Sequence, residues 1–183
     1  ERGLVLNPTR SWDGTKDHEF IISGQSNSDY AKDTQTRKSI TGYRVLLEGA
    51  PVMFKSSTQR SVALSICKAE QSAGVLCAQD MLYCKNVLES MGLKVKIPML
   101  LEMDNKGVVD LANNWSVGGR TRHVDVRQCF LRELKESKIM DIRWVKGSEN
   151  DTDVFTKNLD GPAFEKCIKT LVGHDAYMKS PYP

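Results

Sequence analysis

The stretch KIPMLLEMDN, residues 96–105, decides the fold class of this chain. Residues 96–103 are predominantly apolar, which predicts a strand that is covered on both faces of a sheet. Asp104 and Asn105 follow directly and open a predicted short helix that extends to about Trp115. A covered strand followed by a helix indicates an α/β protein with parallel strands.

Three predicted strands precede this stretch. The first covers residues 19–24 and runs on toward Asp29, and the next two cover residues 41–47 and 51–55. Glu48 and Gly49 form a tight turn between the second strand and the third, as in a β-hairpin. Short connections of this kind predict an antiparallel meander.

A long helix is predicted between the meander and residue 96, because apolar residues recur at steps of three and four. It begins near Ser65 and ends near Gly92, which is the expected cap. Its buried stripe consists of Ala73, Cys77, Met81, Cys84 and Leu88. Gly74 lies inside this helix, where glycine costs up to about 1 kcal/mol relative to alanine.

The remaining elements complete the architecture. A helix is predicted from Thr121 or His123, a strand over residues 140–145, and helical segments over 153–157 and 164–172. The order predicts an α/β fold with a five-stranded mixed sheet, in which three antiparallel strands are followed by two parallel strands. Helices are expected on both faces of this sheet.

Composition limits the class of protein. The chain has 183 residues, 40% of them hydrophobic and 27% charged, which is typical of one globular domain. No apolar run is long enough to cross a bilayer. Its five cysteines include no CxxC pair, so we expect reduced cysteines used in packing and no zinc site. The net charge of +3 favours polyanionic partners only weakly.

Acidic residues stand at informative positions in this layout. Asp104 ends the covered strand, Glu70 lies on the first turns of the long helix, and Asp153 begins a late helical segment. Asn27 and Asp29 share one face at the end of the first strand. Carboxylates that converge from separate elements need a cation, and oxygen ligands favour Mg²⁺. Two such ions would support phosphodiester hydrolysis. The alternative is that each acid is an ordinary helix cap or strand end.

Basic residues gather before and within the predicted helix near residue 123. One interpretation is contact with nucleic-acid phosphates, which would make binding depend on salt. The alternative is a solvated helix face whose arginines pair with nearby acids. Asn105 and Lys106 have the same two interpretations, since they either touch substrate or simply start a helix. The residues concerned in the basic segment are Arg120, Arg122, His123 and Arg127.

Several short motifs carry a resemblance to a known family. They are SNSDYAKD at 26–33, RKSITGY at 37–43, MDNK at 103–106, RTRHVDVR at 120–127 and DVFTK at 153–157. In this order and spacing, the chain resembles the ribonuclease H domain of copia-type (Pseudoviridae) retrotransposon polyproteins. The resemblance covers residues of about 19–160.

The resemblance implies a ribonuclease H-like fold and two-metal hydrolysis of the RNA strand of RNA–DNA hybrids, with Mg²⁺ or Mn²⁺. It implies that Glu70, Asp104 and Asp153 are catalytic metal ligands. Asn27 stands where the family has aspartate, so the fourth ligand position is altered. It also implies that the hybrid is contacted by Arg120, Arg122, His123, Arg127, Asn105 and Lys106.

The change at position 27 leaves two functions open. An amide in place of a carboxylate removes one charge, which we expect to weaken metal binding and hydrolysis. Cys67, Lys68 and Gln71 also depart from the family and look like drift around a weakened site, and a deliberate Asp-to-Asn change at position 27 is equally compatible. The alternative is a catalytically inactive domain, domesticated or decayed, that binds nucleic acid or protein or serves as a structural subunit.

The resemblance also predicts the organisation of the chain. We expect residues 1–18 to be an arm or linker after a reverse transcriptase, 19–160 the ribonuclease H-like domain, and 161–183 a C-terminal helix and tail. The chain would then be a piece of a longer polyprotein. The expected partners are an RNA–DNA hybrid and the reverse transcriptase domain of that polyprotein, with no membrane. The expected location is intracellular, either cytoplasmic in virus-like particles or nuclear.

Overall fold

A computed structural model describes residues 6, 8–113 and 126–172 of the chain. In this part, the main sheet has five strands, which are β2 (Ile22–Asp29), β3 (Ile40–Leu47), β4 (Ala50–Thr58), β6 (Met99–Met103) and β7 (Met140–Trp144). They form a mixed sheet in the order β4-β3-β2-β6-β7. β2, β3 and β4 are antiparallel, and β6 and β7 run parallel to β2. The predicted five-stranded sheet is therefore confirmed.

Two short strands and four α-helices complete the described part. β1 (Glu19–Phe20) and β5 (Lys94–Val95) form a separate parallel pair. Two 3₁₀ helices, Gly147–Glu149 and Asp151–Phe155, follow β7. The α-helices are α1 (Ile66–Ser90), α2 (Lys106–Asn113), α3 (Val126–Glu136) and α4 (Gly161–Val172). Among the described residues, no helix is long and apolar enough to span a membrane.

Helix α1 has well-defined ends. The Ser65 side chain caps its start by accepting a hydrogen bond from the backbone N of Lys68, at 3.2 Å. At the other end, Gly92 has φ +77° and its N–H donates to the carbonyl of Glu89, while Leu93 N donates to Leu88 O. This is the Schellman arrangement, which needs a residue that tolerates positive φ. The predicted helix, with Gly92 at its end, is confirmed.

Glycines allow α1 to approach the sheet closely. A Cβ built on Gly74 would lie 2.6 Å from Cε of Met103, and one on Gly24 would lie 2.6 Å from Sδ of Met81. Such distances are shorter than van der Waals contact, so larger residues would force the helix and sheet apart. Gly74 therefore has a packing reason that offsets its cost to the helix.

The predicted strand over residues 96–103 is shorter in the structure, because β6 begins only at Met99. Pro98 lies just before it, and a proline has no N–H to donate to a neighbouring strand. Lys94–Val95, before the predicted strand, pairs with β1 in the separate two-stranded sheet. Residues 99–103 lie between β2 and β7, as predicted for a covered strand.

The two faces of the sheet are covered differently. Tyr43 and Val45 of β3 are fully buried in an apolar core with α1. On the opposite face, Arg44 is 4% exposed, and its guanidinium donates to Gln25 and to Asp151 at 2.7 and 2.8 Å. The 3₁₀ helix that carries Asp151 and α4 pack on this second face. Helices on both faces, as predicted, are confirmed.

The turn between β3 and β4 binds the N-terminal arm. Glu48 and Gly49 have φ +51° and +82°, as a two-residue hairpin turn of type I′ requires. The backbone N and the hydroxyl of Thr9 both donate to the carbonyl of Glu48, at 2.7 and 3.0 Å. The arm therefore contacts the domain before β1 begins, and the predicted boundary at residue 18 stays a prediction.

Candidate active site

The register of the sheet brings Asn27 and Asp104 to the same end. Ser26 of β2 lies opposite Met103 of the parallel strand β6. Asn27 and Asp104 are each one residue further along, near the carboxyl ends of these strands. Functional groups of open α/β sheets commonly lie at this edge.

Asn27 is buried, with 1% of its surface exposed. Its side-chain oxygen accepts a hydrogen bond from the backbone N of Ser28 at 2.7 Å. Its side-chain nitrogen donates to Oδ1 of Asp153 and, at 3.4 Å, to the hydroxyl of Thr156. The amide thus presents a donor, rather than an acceptor, to the neighbouring carboxylate.

Glu70 enters the same region from the first turns of α1. Its Oε1 accepts a hydrogen bond from the backbone N of Ser28 at 3.1 Å, whereas Oε2 is buried without a partner among the described residues. Burial and the charge of Asp104 raise the pKa of Glu70 to about 8, against the effects of Ser28 and Lys157. This carboxyl group is therefore poorly stabilised as an anion.

Asp104 connects Glu70 with Asp153 electrostatically. Partial burial and the nearby Asp153 raise the pKa of Asp104, and Lys157 opposes that rise. Glu70, Asp104 and Asp153 thus influence one another although they come from α1, the end of β6 and a 3₁₀ helix. We call these three residues and Asn27 the carboxylate site.

Asp153 is positioned by contacts of its 3₁₀ helix. The Asn150 side chain donates to the carbonyl of Ser26 at 2.9 Å and accepts from the N–H of Thr152. Gly42 of β3 lies directly beneath, since a Cβ there would be 2.5 Å from Cγ2 of Thr156. These contacts hold the 3₁₀ helix against β2 and β3.

Lys157 is a cation inside this acidic region. Its Nζ lies 2.8 Å from Oδ1 of Asp153, the oxygen that also accepts from Asn27. Burial lowers the pKa of Lys157, but contact with Asp153 and the charges of Asp104 and Asp29 outweigh it, so the pKa is raised. The ammonium group is therefore stabilised by the carboxylates around it.

The carboxylate site has the residue types that Mg²⁺ or Mn²⁺ prefers, since both ions bind oxygen ligands. Its arrangement does not fit such an ion, because the Asn27 amide nitrogen and the Lys157 ammonium both contact Asp153. Within the described ranges, no three His, Cys, Asp or Glu side chains come close enough together to hold a metal ion. We therefore assign no chemical step to a metal in this arrangement.

Half of the predicted nucleic-acid contacts fall within the described residues. Arg120, Arg122 and His123 lie outside them, as does the predicted helix start near residue 121. Asn105 caps α2, because its side-chain oxygen accepts from the N–H of Val108 at 3.1 Å. Lys106 is exposed at the start of the same helix.

Arg127 lies at the start of α3 and lines a groove of about 700 Å³. Its guanidinium donates to the hydroxyl of Ser72 at 2.6 Å, and Ser72 is two residues beyond Glu70 on α1. Polar and apolar side chains line the groove in similar measure, and its charged lining residues are all basic, which suits a phosphate backbone. Its lining includes Lys55, Gln59, Arg60, Ser72 and Arg127.

The structure adds residues that the sequence analysis gave no role. Lys157 is four residues after Asp153, a spacing that places two side chains on one face of a helical turn. This spacing was a usable signal. Trp144 is 51% exposed, and its indole N–H donates to the carbonyl of Asp104 at 3.0 Å. Asn150 and Trp144 depend on contacts between distant segments, which no local pattern indicates.

The sheet order, the helices on both faces and the position of the carboxylate site define a ribonuclease H fold. Solved structures agree: LC11-RNase H1, isolated from compost by a metagenomic approach, superimposes with a TM-score of 0.54 at 14% identity, covering 81% of this chain and 98% of that protein. The same protein in complex with an RNA/DNA hybrid also gives a TM-score of 0.54, at 13% identity. At these identities the likeness concerns the fold alone.

Sequence comparison gives the family. The chain is 33% identical over 153 residues to the retrovirus-related Pol polyprotein from transposon TNT 1-94 of Nicotiana tabacum, covering 84% of the chain. It is 26% identical over 166 residues to that from transposon RE2 of Arabidopsis thaliana, covering 86%. No protein-family model matches. The chain is thus a homologue of retrovirus-related Pol polyproteins of plant transposons, and it spans about a tenth of their length.

Proposed function

We propose that this chain is a retroelement ribonuclease H domain that acts on the RNA strand of RNA–DNA hybrids, and that Asn27 weakens this activity. The single observation that carries the proposal is the convergence of Asn27, Glu70, Asp104 and Asp153 at one end of a ribonuclease H sheet. These four side chains come from separate elements, and fold stability alone gives no reason to gather acidic groups.

The fold and the groove support the substrate class. LC11-RNase H1, which shares the fold, has been solved with an RNA/DNA hybrid. In the present chain, Arg127 and the other basic side chains of the groove offer charge to a phosphate backbone close to α1. A reverse transcriptase domain in the same polyprotein is the expected partner, and an intracellular location, in virus-like particles or the nucleus, stays a prediction.

The effect of Asn27 follows from its charge and its hydrogen bonds. A carboxylate at position 27 would repel Asp153, whereas the amide donates to it. One charge at about 4 Å is worth roughly 4 kcal/mol at an effective dielectric constant near 20. A loss of that size is on the order of a thousandfold in rate. An aspartate at position 27 would require a cation. We propose that this cation is Mg²⁺ or Mn²⁺, and the family resemblance implies two such ions.

The test is cleavage of an RNA–DNA hybrid by the present chain and by Asn27→Asp, each in Mg²⁺, in Mn²⁺ and in chelator. We expect Asn27→Asp to cut on the order of a thousandfold faster, only with a divalent ion. Asn27→Asp combined with Glu70→Gln is the matched control and should cut no faster than the present chain. A folded Asn27→Asp variant without activity would overturn the proposal.

A second candidate is a domain that binds hybrid without hydrolysing it. It is favoured by the contacts of Asp153, whose Oδ1 is already satisfied by Asn27 and Lys157. In that case the present chain and Asn27→Asp would bind the hybrid equally well, and neither would cut it. Binding measured by fluorescence anisotropy beside the cleavage assay separates the two candidates.

A further inference from the structure

Lys157 occupies a defined place relative to Asp153. The backbone N of Lys157 donates to the carbonyl of Asp153 at 2.9 Å, so the two residues are held one helical turn apart. Nζ of Lys157 then reaches back to Oδ1 of Asp153 at 2.8 Å. The Lys157 side chain is 40% exposed and that of Asp153 is 24% exposed, so the pair is partly shielded from water.

The charge of Lys157 acts on more than its direct partner. It interacts with Glu70, Asp104 and Asp29, which lie on three different elements. Lys32 is a second nearby cation, but it forms an ion pair with Asp29, with its Nζ 3.1 Å from Oδ2. In addition, Oε2 of Glu70 is buried without a partner among the described residues. The ammonium group of Lys157 is thus central to an otherwise acidic region.

We propose that Lys157 is a resident counter-ion of the carboxylate site and competes there with divalent cations. The inference rests on the proposed function, because it concerns regulation of the same site. With Glu70, Asp104 and Asp153 all ionised, as a bound divalent ion would require, the Lys157 ammonium leaves two negative charges. The same three carboxylates with a neutral residue at position 157 would leave three. A divalent ion is therefore attracted less strongly to the present chain than to a chain without the lysine.

The competition also has a steric component. Oδ1 of Asp153 accepts from the amide of Asn27 and from the ammonium of Lys157. An ion that uses this oxygen must displace the ammonium group, which has to move into solvent along its flexible stem. Replacing Lys157 with an uncharged residue of similar length removes this obstacle and leaves the scaffold contacts of Asn150 untouched.

The test is Mn²⁺ binding followed by electron paramagnetic resonance of the free ion, without nucleic acid. We expect Lys157→Met to bind Mn²⁺ at least tenfold more tightly than the present chain, and Lys157→Arg to bind like the present chain. Lys85→Met is the matched control, because Lys85 forms an i,i+4 pair with Glu89 at 2.7 Å on α1. It removes the same charge elsewhere and should leave Mn²⁺ binding within twofold.

Three results would overturn the inference. The first is unchanged Mn²⁺ affinity in folded Lys157→Met, and the second is an equal gain in Lys85→Met. The third is a tenfold gain in Lys157→Arg, which keeps the charge. The arginine variant also keeps the test decisive if the methionine variant fails to fold. The outcome is separate from that of the proposed function, because no substrate is present. Failure of Asn27→Asp to cut hybrid would contradict the function, whereas unchanged Mn²⁺ affinity contradicts only the role of Lys157.

Discussion

Glu48 and Glu70 are both buried, at 5% and 4% exposure, and Oε2 of each has no hydrogen-bond partner among the described residues, but their other surroundings differ. Oε1 of Glu48 accepts from the backbone N of Ile21 at 3.0 Å and lies 3.3 Å from Nε2 of His18, and Arg10 is 3.7 Å from Oε2. Glu70 has the N–H of Ser28 on one oxygen and the charge of Asp104 nearby. A buried carboxylate among donors belongs to the scaffold, whereas one that faces other acids belongs to a site.

The largest expected effect is on catalysis. In the Asn27→Asp background, Glu70→Gln should slow hybrid cleavage about a thousandfold, because it keeps the acceptor for Ser28 but removes roughly 4 kcal/mol of charge interaction. Glu48→Gln should leave the rate within about threefold. Single-turnover cleavage measures both. Equal losses in the two variants would show that the contrast between the glutamates has no bearing on function.

The second effect concerns stability and is expected at the other glutamate. Glu48→Ala should lower the free energy of unfolding by about 2–3 kcal/mol, because it leaves the N–H of Ile21 without an acceptor and removes the carboxylate beside Arg10 and His18. Glu48→Gln keeps one acceptor oxygen and should cost less. Urea denaturation at pH 7 provides the comparison. Our assignment of Glu48 to the scaffold fails if the alanine variant is as stable as the present chain.

A third effect is pH dependence. The pKa of Glu70 is about 8 in the folded chain and near 4.5 when unfolded, so the folded state holds a proton that the unfolded state releases between these values. The free energy of unfolding should therefore fall as pH rises from about 4.5 to 8, by up to about 1.4 kcal/mol for each pH unit. Glu70→Gln should remove this component. Parallel stability curves for the two proteins would contradict it.

The smallest effect extends the contrast to arginines. Arg44 is buried between Gln25 and Asp151 and belongs to the scaffold, whereas Arg127 lines the groove. Arg127→Ala should weaken hybrid binding several-fold and reduce the salt dependence of log K by about one charge. Arg143→Ala is the control, since Arg143 is exposed on β7 and pairs with Asp141. Anisotropy titrations at several salt concentrations that give equal slopes for both variants would exclude a special role for Arg127.

Much of the fold followed from local patterns. The hairpin of β3 and β4, with its turn at Glu48 and Gly49, and the ends of α1 are each determined by a few neighbouring residues, so the sequence predicted them. The strand over residues 96–103 was predicted three residues too long at its start, where Pro98 precedes β6. The pairing of Lys94–Val95 with β1 could not be predicted, because β1 lies more than 70 residues earlier. The packing of Gly74 could not be predicted either, since it depends on contact with Met103 of another element.

The site was predictable in its members but not in its contacts. Strand ends and the first turn of α1 indicated Asp104, Asn27 and Glu70, because parallel strands finish at a common edge. The direction of the Asn27 amide could not be predicted, since it depends on the 3₁₀ helix folding back over β2. The spacing of Asp153 and Lys157 did indicate that these two side chains could pair, but not that the pair lies beside Asn27. The roles of these residues in metal binding and hydrolysis stay predictions.

The docked arm has a consequence for the distance between the chain's entrance into the domain and the carboxylate site. Thr9 is fixed to the turn beside Ile21, six residues before Asn27 on the extended chain. At about 3.3 Å per residue this separation is roughly 20 Å. The arm and the turn therefore act as a spacer that fixes the distance along the chain between its entrance into the domain and the carboxylate site.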